Sequence, residues 1–243
     1  MSGDGPMSGR EPWRPVGDDG SRLVAGDGPR LVVDDAPGRA AAIEALGRGA
    51  LVAFPTDTVY GLGVALGAPD GIERLFLAKR RAPEKGVVLL LADHRQADEV
   101  AELGAAGQVL AAACWPGALT LVVRQRSDVP LPPALTGGAT TIGLRLPDHE
   151  TPRALAAALG PLPVTSANRS GQPDAIDAGG VLAQLGDVPD LALVLDGGPA
   201  RGGQSSTVVD CSAGPVRLLR AGAISIELLM AVLAEAGLDH QLG

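Results

Sequence analysis

The sequence predicts an α/β fold, an open mixed sheet with flanking helices in a single domain. Three observations lead there. Helical and strand patterns intermix along the chain without a strict βα repeat, which favours an open mixed sheet over a barrel or a regular doubly wound sheet. At 243 residues the chain fits one large α/β domain. Hydrophobic residues make up 46% and charged ones 20%, so a sizeable core can be buried, and no internal repeat divides it.

The elements follow in order. Residues 1–30 are rich in Gly, Asp and Pro and lack the apolar core of a signal peptide, so they read as a disordered N-terminal tail before a domain at 31–243. Arg39 to Gly47 reads as a helix and Ala50 to Phe54 as a strand stopped by Pro55. Over Gly71 to Arg80, Ile72, Leu75, Phe76 and Lys79 recur at helical spacing. Val87 to Leu91 is an unbroken apolar run, as expected of a strand buried on both faces. Ala97 to Ala113 has helical composition, broken near Gly104 and Gly107.

Strands are then expected at Ala118–Arg124 and Thr140–Leu146, a helix at Thr151–Leu159, and a short strand at Leu162–Thr165. A short helix at Gly179–Leu185 precedes a strand at Leu191–Leu195 ending in Asp196-Gly197-Gly198. Thr207–Cys211 and Val216–Leu219 form a β-pair around Ser212-Ala213-Gly214-Pro215. Ile224–Ala236 closes as a helix stopped by Gly237.

Composition excludes several functions. Aromatics are 2%, so Ala, Val and Leu must fill the core and no aromatic platform for stacking bases is available. A net charge of -8 argues against a sequence-independent grip on nucleic acid, which draws its affinity from neutralised phosphates. Two cysteines, Cys114 and Cys211, make no disulfide framework and suit a reducing, cytoplasmic setting. No apolar run reaches the roughly 18–20 residues of a membrane span. Of 20 basic residues only two are lysine, Lys79 and Lys85, both within one seven-residue stretch.

Familiar signatures are missing. Neither lysine follows a glycine-rich loop, so there is no P-loop, and the glycines at 61, 63 and 67 have the wrong spacing for a dinucleotide fingerprint. His94, His149 and His240 are scattered without metal-ligand spacing, and Gly-x-Ser-x-Gly is absent. What remains are polar segments at the ends of apolar strands, where α/β proteins place their sites. They are Pro55–Leu62, with two hydroxyls and a carboxylate in a turn; Lys79-Arg80-Arg81 at a helix end; and Thr165–Gly171. Arg145 sits between Leu144 and Leu146 with Thr141 four residues before it, and Ser205-Ser206-Thr207 pairs with Arg220. Each alone also reads as a cap, a turn or a solvated charge. Together they have the composition of a pocket for a polyphosphate and an amino acid. Lys79, Arg81, Arg145 and Arg220 would offset a triphosphate, and Ser166, Asn168 and Ser206 would offer neutral hydrogen bonds.

The string Phe54-Pro55-Thr56-Asp57-Thr58-Val59-Tyr60-Gly61-Leu62-Gly63 resembles the opening motif of the YrdC-like family, the threonylcarbamoyl-AMP synthases. Lys79-x-Arg81 with Ser166-x-Asn168 resembles the family's paired signature, and Cys114–Leu121 its Trp-Pro-Gly-x-Leu-Thr block. Ile142–Pro147, Asp196-Gly197-Gly198, Ser206–Asp210 and Leu219–Gly222 complete the ordered set, which spans about residues 36 to 236.

The resemblance implies a twisted open sheet with a concave, positively lined face. It also implies formation of threonylcarbamoyl-AMP from L-threonine, bicarbonate and ATP, for N6-threonylcarbamoyladenosine in tRNA. Thr56, Val88, Arg145, Val164 and Ser206 would contact threonine. Lys79, Pro83, Thr141, Ser166, Asp174 and Arg220 would contact the nucleotide, and Lys79, Arg81, Ser166 and Asn168 would act on the phosphates and carbamate. Mg²⁺ would arrive with ATP and be held through phosphates and waters, without a protein cage. A tRNA threonylcarbamoyltransferase complex would take the product. Two departures stand out: Ala82 follows Lys-x-Arg where the family usually has Pro, and Leu90 stands where longer members tend to carry His. The C-terminal domain of those longer members is not expected. The alternatives are a non-catalytic RNA-binding relative, which the intact signature and the net charge oppose, and a carbamoyl-adenylate module of a larger transferase.

Overall fold

The structure is a computed structural model and describes residues 28–80 and 87–242, together with the backbone of Ser21–Arg22. Arg81, Ala82 and Pro83 therefore lie outside the described residues, as does most of the expected N-terminal tail. In chain order the elements are β1 (Ser21–Arg22), β2 (Arg30–Val33), α1 (Ala36–Gly47), β3 (Leu51–Phe54), β4 (Gly61–Gly63), α2 (Gly71–Lys79) and β5 (Val88–Leu90). Next come α3 (His94–Val100), β6 (Ala101–Glu102), α4 (Gly104–Cys114), β7 (Leu119–Gln125), α5 (Pro133–Thr136), β8 (Thr141–Arg145) and α6 (Glu150–Leu159). β9 (Leu162–Ser166), α7 (Ala178–Leu185), β10 (Leu191–Asp196), β11 (Thr207–Asp210), β12 (Val216–Arg220), α8 (Ile226–Glu235) and β13 (His240–Gln241) complete the chain.

The strands form one mixed sheet in the order β1-β2-β10-β3-β4-β9-β5-β8-β7-β11-β12-β13, with β6 paired to β7. Parallel pairs such as β5 with β8 alternate with antiparallel ones such as β7 with β8, as the lack of a βα repeat predicts. Alternation along β3 divides the core in two. Leu51 and Ala53 join the larger cluster, which includes Leu75 and Phe76 of α2, Leu110 of α4, Val181 of α7 and Leu229 of α8. Val52 and Phe54 face the other way, against Ala42 and Leu46 of α1 and Leu155 of α6.

Two readings need correction. The segment expected as one interrupted helix at 97–113 is two helices separated by β6 and Leu103, and α4 opens at Gly104, which takes a φ of +65°. Gly107 continues α4 and packs near Leu103 and Val123. Gly61, met within the polar segment Pro55–Leu62, forms β4 with Leu62 and Gly63: a Cβ on Gly61 would lie 2.9 Å from a Val164 methyl, so the bare backbone lets β3 and β9 close upon it. Both cysteines are free; burial, helped by Asp210, pushes the Cys211 thiol up to about 12, and burial raises Cys114 as well.

Candidate active site

Nine residues from seven strands of the sheet, or from the loops joined to them, meet in one cavity. They are Thr56 and Thr58 after β3, Val88 and Leu90 of β5, Thr120 of β7, Arg145 of β8, Val164 of β9, Ser206 ahead of β11 and Arg220 ending β12. All five residues expected to contact threonine line it, as do Ser166 and Arg220 of the expected nucleotide set. Leu90, noted as a departure, supplies apolar wall.

The loop after β3 is built on hydroxyls. Thr56 Oγ1 donates to the Val59 carbonyl at 2.6 Å and accepts from the Thr58 amide at 3.1 Å. Its one hydrogen is thus spent, so the 3.0 Å contact with Thr58 Oγ1 must run from Thr58 to Thr56. The Thr58 oxygen is left to accept from Arg145 Nη1 at 2.9 Å. Tyr60, wholly buried, ties the end of this loop to the Asp196-Gly197-Gly198 turn: its hydroxyl donates to the Gly198 carbonyl at 2.7 Å and accepts from Gly197 N at 3.2 Å. Burial raises the Tyr60 phenol to about 12, with the Gly197 amide opposing and Asp196 assisting.

Arg145 is 6% exposed, so its charge must be met inside the protein. Nη2 pairs with Asp57 Oδ1 at 2.5 Å and Nε donates to the Gly117 carbonyl at 3.0 Å. That carbonyl is aimed by the Trp-Pro-Gly turn, where Trp115 Nε1 donates to Leu119 O at 2.7 Å and Gly117 N to Leu146 O at 2.8 Å. The block that resembles a family motif is, physically, a bracket for Arg145.

Lys79 is brought to the cavity's edge by the way α2 ends. Helices leave their last carbonyls unsatisfied. Here Arg169 Nη1 donates to Ala78 O at 2.6 Å and Ser170 N to Lys79 O at 2.9 Å, which clasps the loop after β9 to the helix terminus. Lys79 Nζ then donates to the Ser166 carbonyl, to Asn168 Oδ1 at 2.9 Å and to Ser166 Oγ at 3.3 Å. Ser166 Oγ donates to Asn168 Oδ1 at 2.6 Å and Asn168 Nδ2 to Gln172 O at 2.6 Å.

On the far wall Arg220 holds the Ser206 carbonyl through Nε at 3.1 Å and Nη2 at 2.8 Å. Ser206 Oγ lies 2.8 Å from Thr120 Oγ1. The Arg220 guanidinium sits below its ordinary pKa through desolvation; Asp174 opposes that shift and Arg145 adds to it. Asp174 accepts from Ser205 Oγ at 2.5 Å. Thr141 shares the Arg145 face of β8 by alternation but lies four residues away and lines a separate cavity with Arg124 and Ser212. Among the described residues no group of His, Cys, Asp and Glu converges as a metal cage.

Sequence reasoning set Asp57, Thr58 and Ser205 within its polar segments without giving them roles, and it missed Thr120 and the Gly117 carbonyl as site groups. Each lies inside a quoted motif, but only the folded chain shows which motif members turn inward. Chemically, the arrangement offers a buried guanidinium beside hydroxyls and three valine or leucine side chains, with a second cationic cluster alongside. That suits a small carboxylate with a short side chain next to a polyanion.

Residues 44–222, well over half of the chain, match the Sua5_yciO_yrdC family, described as telomere recombination. The threonylcarbamoyl-AMP synthase of Bacillus subtilis (strain 168) is 36% identical over 85% of this chain and 59% of its own length. The putative threonylcarbamoyl-AMP synthase of Mycobacterium leprae (strain TN) is 37% identical over 81% of this chain and 88% of its own. The crystal structure of P. abyssi Sua5 complexed with L-threonine superposes with a TM-score of 0.76 at 33% identity, covering 84% of this chain and 58% of that one. The chain thus spans a little under three fifths of two of these relatives and most of the third, and by sequence and fold alike it belongs to the Sua5/YciO/YrdC family.

Proposed function

We propose that the chain is a threonylcarbamoyl-AMP synthase, joining L-threonine, bicarbonate and ATP with release of pyrophosphate. The observation that carries this reading is the buried Arg145, with hydroxyls and valines around it, sharing one cavity with Ser166 and Arg220 and bordered by Lys79. A relative of similar fold, from P. abyssi, has been crystallised with L-threonine.

In this reading Arg145 receives the threonine carboxylate, and Thr56, Val88, Val164 and Ser206 surround the rest of the amino acid. Bicarbonate carbon bonds to the amine nitrogen and water departs. A carbamate oxygen then bonds to the α-phosphorus of ATP while the bond from that phosphorus to the bridging oxygen breaks, and pyrophosphate leaves. Lys79 and Arg220 stabilise charge on the phosphates, with Ser166, Asn168 and Asp174 and the residues Arg81 and Pro83 completing the nucleotide side. Positioning and charge neutralisation do most of the work in such transfers, and no general base is assigned. Mg²⁺ enters as part of the MgATP substrate. The adenylate then passes to a tRNA threonylcarbamoyltransferase complex. No described helix is long and apolar enough to cross a membrane, and we place the reaction in the cytoplasm.

The test is pyrophosphate release from ATP with and without L-threonine and bicarbonate, alongside mass detection of the adenylate. Release that needs both co-substrates, with L-serine clearly poorer, is expected. Well-folded protein that shows no threonine-dependent release would overturn the reading, and RNA titrations across a salt series would then test the binding alternative.

A further inference from the structure

Asp57 forms no part of the cavity lining, yet it bonds to the one guanidinium buried within it. An arginine carries five N–H donors. In Arg145, Nε is held by the Gly117 carbonyl, Nη1 by Thr58 Oγ1 and Nη2 by Asp57 Oδ1, which leaves one N–H on each terminal nitrogen. Both lie in the guanidinium plane, as all five do, and both remain available to a carboxylate. Two of the three protein acceptors are neutral. Among the described residues Asp57 alone forms an ion pair with Arg145, and side-chain exposures of 7% for Arg145 and 11% for Asp57 shield the contact from water.

The loop is organised to present Asp57 in that orientation. Thr56 and Thr58 on either side are locked by their hydroxyl chain to the Val59 carbonyl, which fixes the direction in which each donates. The consequence is that Thr58 can only accept from Arg145, and Asp57 must accept on the neighbouring nitrogen. The planar guanidinium is thereby held at three points before any ligand enters. Preorganisation of this kind lowers the cost of ordering a charged side chain when it binds.

We propose that Asp57 is a positioning residue for the amino-acid substrate: its carboxylate oxygen sets the plane of Arg145 so that the two remaining N–H groups face the substrate carboxylate. The proposal rests on the reading of Arg145 as the carboxylate ligand, and the experiment separates the two. Steady-state kinetics of the full chain are measured with threonine and ATP varied independently, for Asp57→Ala, Asp57→Ser, Asp57→Asn and Arg145→Lys, with melting curves for each.

Asp57→Ala is expected to raise the threonine KM by about tenfold or more while the ATP KM stays within about twofold. Asp57→Ser, polar but too short to reach the guanidinium, should behave alike, and it carries the test if the alanine variant does not fold. Asp57→Asn keeps an acceptor oxygen and should hold the threonine KM within about threefold of the parent. Arg145→Lys lacks the planar fork and should raise the threonine KM by about tenfold. An unchanged threonine KM in Arg145→Lys overturns the underlying reading. Impairment there with normal Asp57→Ala or Asp57→Ser kinetics overturns the positioning role alone. So does an equal rise in both KM values, or an asparagine variant as poor as alanine.

Discussion

At the last turn of α2, Lys79 occupies the place where the stripe of Ile72, Leu75 and Phe76 would put a fourth apolar side chain, and it is 3% exposed. A charge is placed there at considerable desolvation cost, and a stabilised phosphate would justify it. Lys79→Met keeps the stem and removes the charge, so it should melt close to the parent yet lower kcat for pyrophosphate release by about 10²–10³-fold. Full activity in that variant would remove the phosphate role. Helical spacing alone placed Lys79 on the inward face, so that much was legible. Its partners Ser166 and Asn168 are 87 and 89 residues away, and no local pattern relates positions so distant; only the family resemblance joined them. The direction of each hydroxyl bond around Thr56 and Thr58 was illegible, because it depends on which acceptors the folded loop brings within reach.

Elements with strong periodicity were found within a few residues of their bounds, and those without it were missed. β4 is Gly-Leu-Gly, with no apolar alternation to betray it, and α5 is a single turn. Helix α6 was legible, but its cap was not. His149 ends the preceding loop, and its Nδ1 accepts from Thr151 N at 3.2 Å, so that nitrogen is unprotonated. Burial holds the imidazole below its ordinary pKa of 6.5; Asp34 and Asp57 oppose this, while Arg201 and Arg39 reinforce it. Between the depressed folded value and 6.5 the unfolded chain binds more protons than the folded one, so stability rises with pH and is lost on acidification. Denaturant melts across a pH series should show that decline below about pH 6.5. His149→Asn, which retains a capping acceptor without a titrating ring, should flatten it. An unchanged slope would assign the decline to the carboxylates instead.

For the molecule as a whole, composition announced a core of Ala, Val and Leu, the intermixed helix and strand patterns announced a single mixed sheet, and both are present. The strand order was not legible, because β10 inserts between β2 and β3, and β9 between β4 and β5. A single sequence does not say which strands pair across such separations. That order is what makes the cavity, since β9, β5, β8, β7, β11 and β12 are neighbours in space, while only β7 with β8 and β11 with β12 are consecutive in sequence. The far wall is closed by Gly222, whose backbone passes so near Ser205 and Ser206 that any side chain would strike their main chain. Gly222→Ala is expected to destabilise the protein by about 1–3 kcal/mol and to raise the threonine KM by displacing Ser206. Denaturant titration and kinetics on the same preparation would check both, and a neutral result would show that the crossing can relax.

The grip of Arg220 on the Ser206 carbonyl also has a temporal side. A ribosome delivers Thr56 early and Arg220 some 160 residues later, so the wall that Arg220 and Gly222 complete is made last. Domains commonly begin to fold while synthesis continues. In this protein the cavity stays open on one side until β12 has emerged, and a small ligand cannot act as a template for the growing chain before then. The cavity is completed in one step, once β12 has emerged.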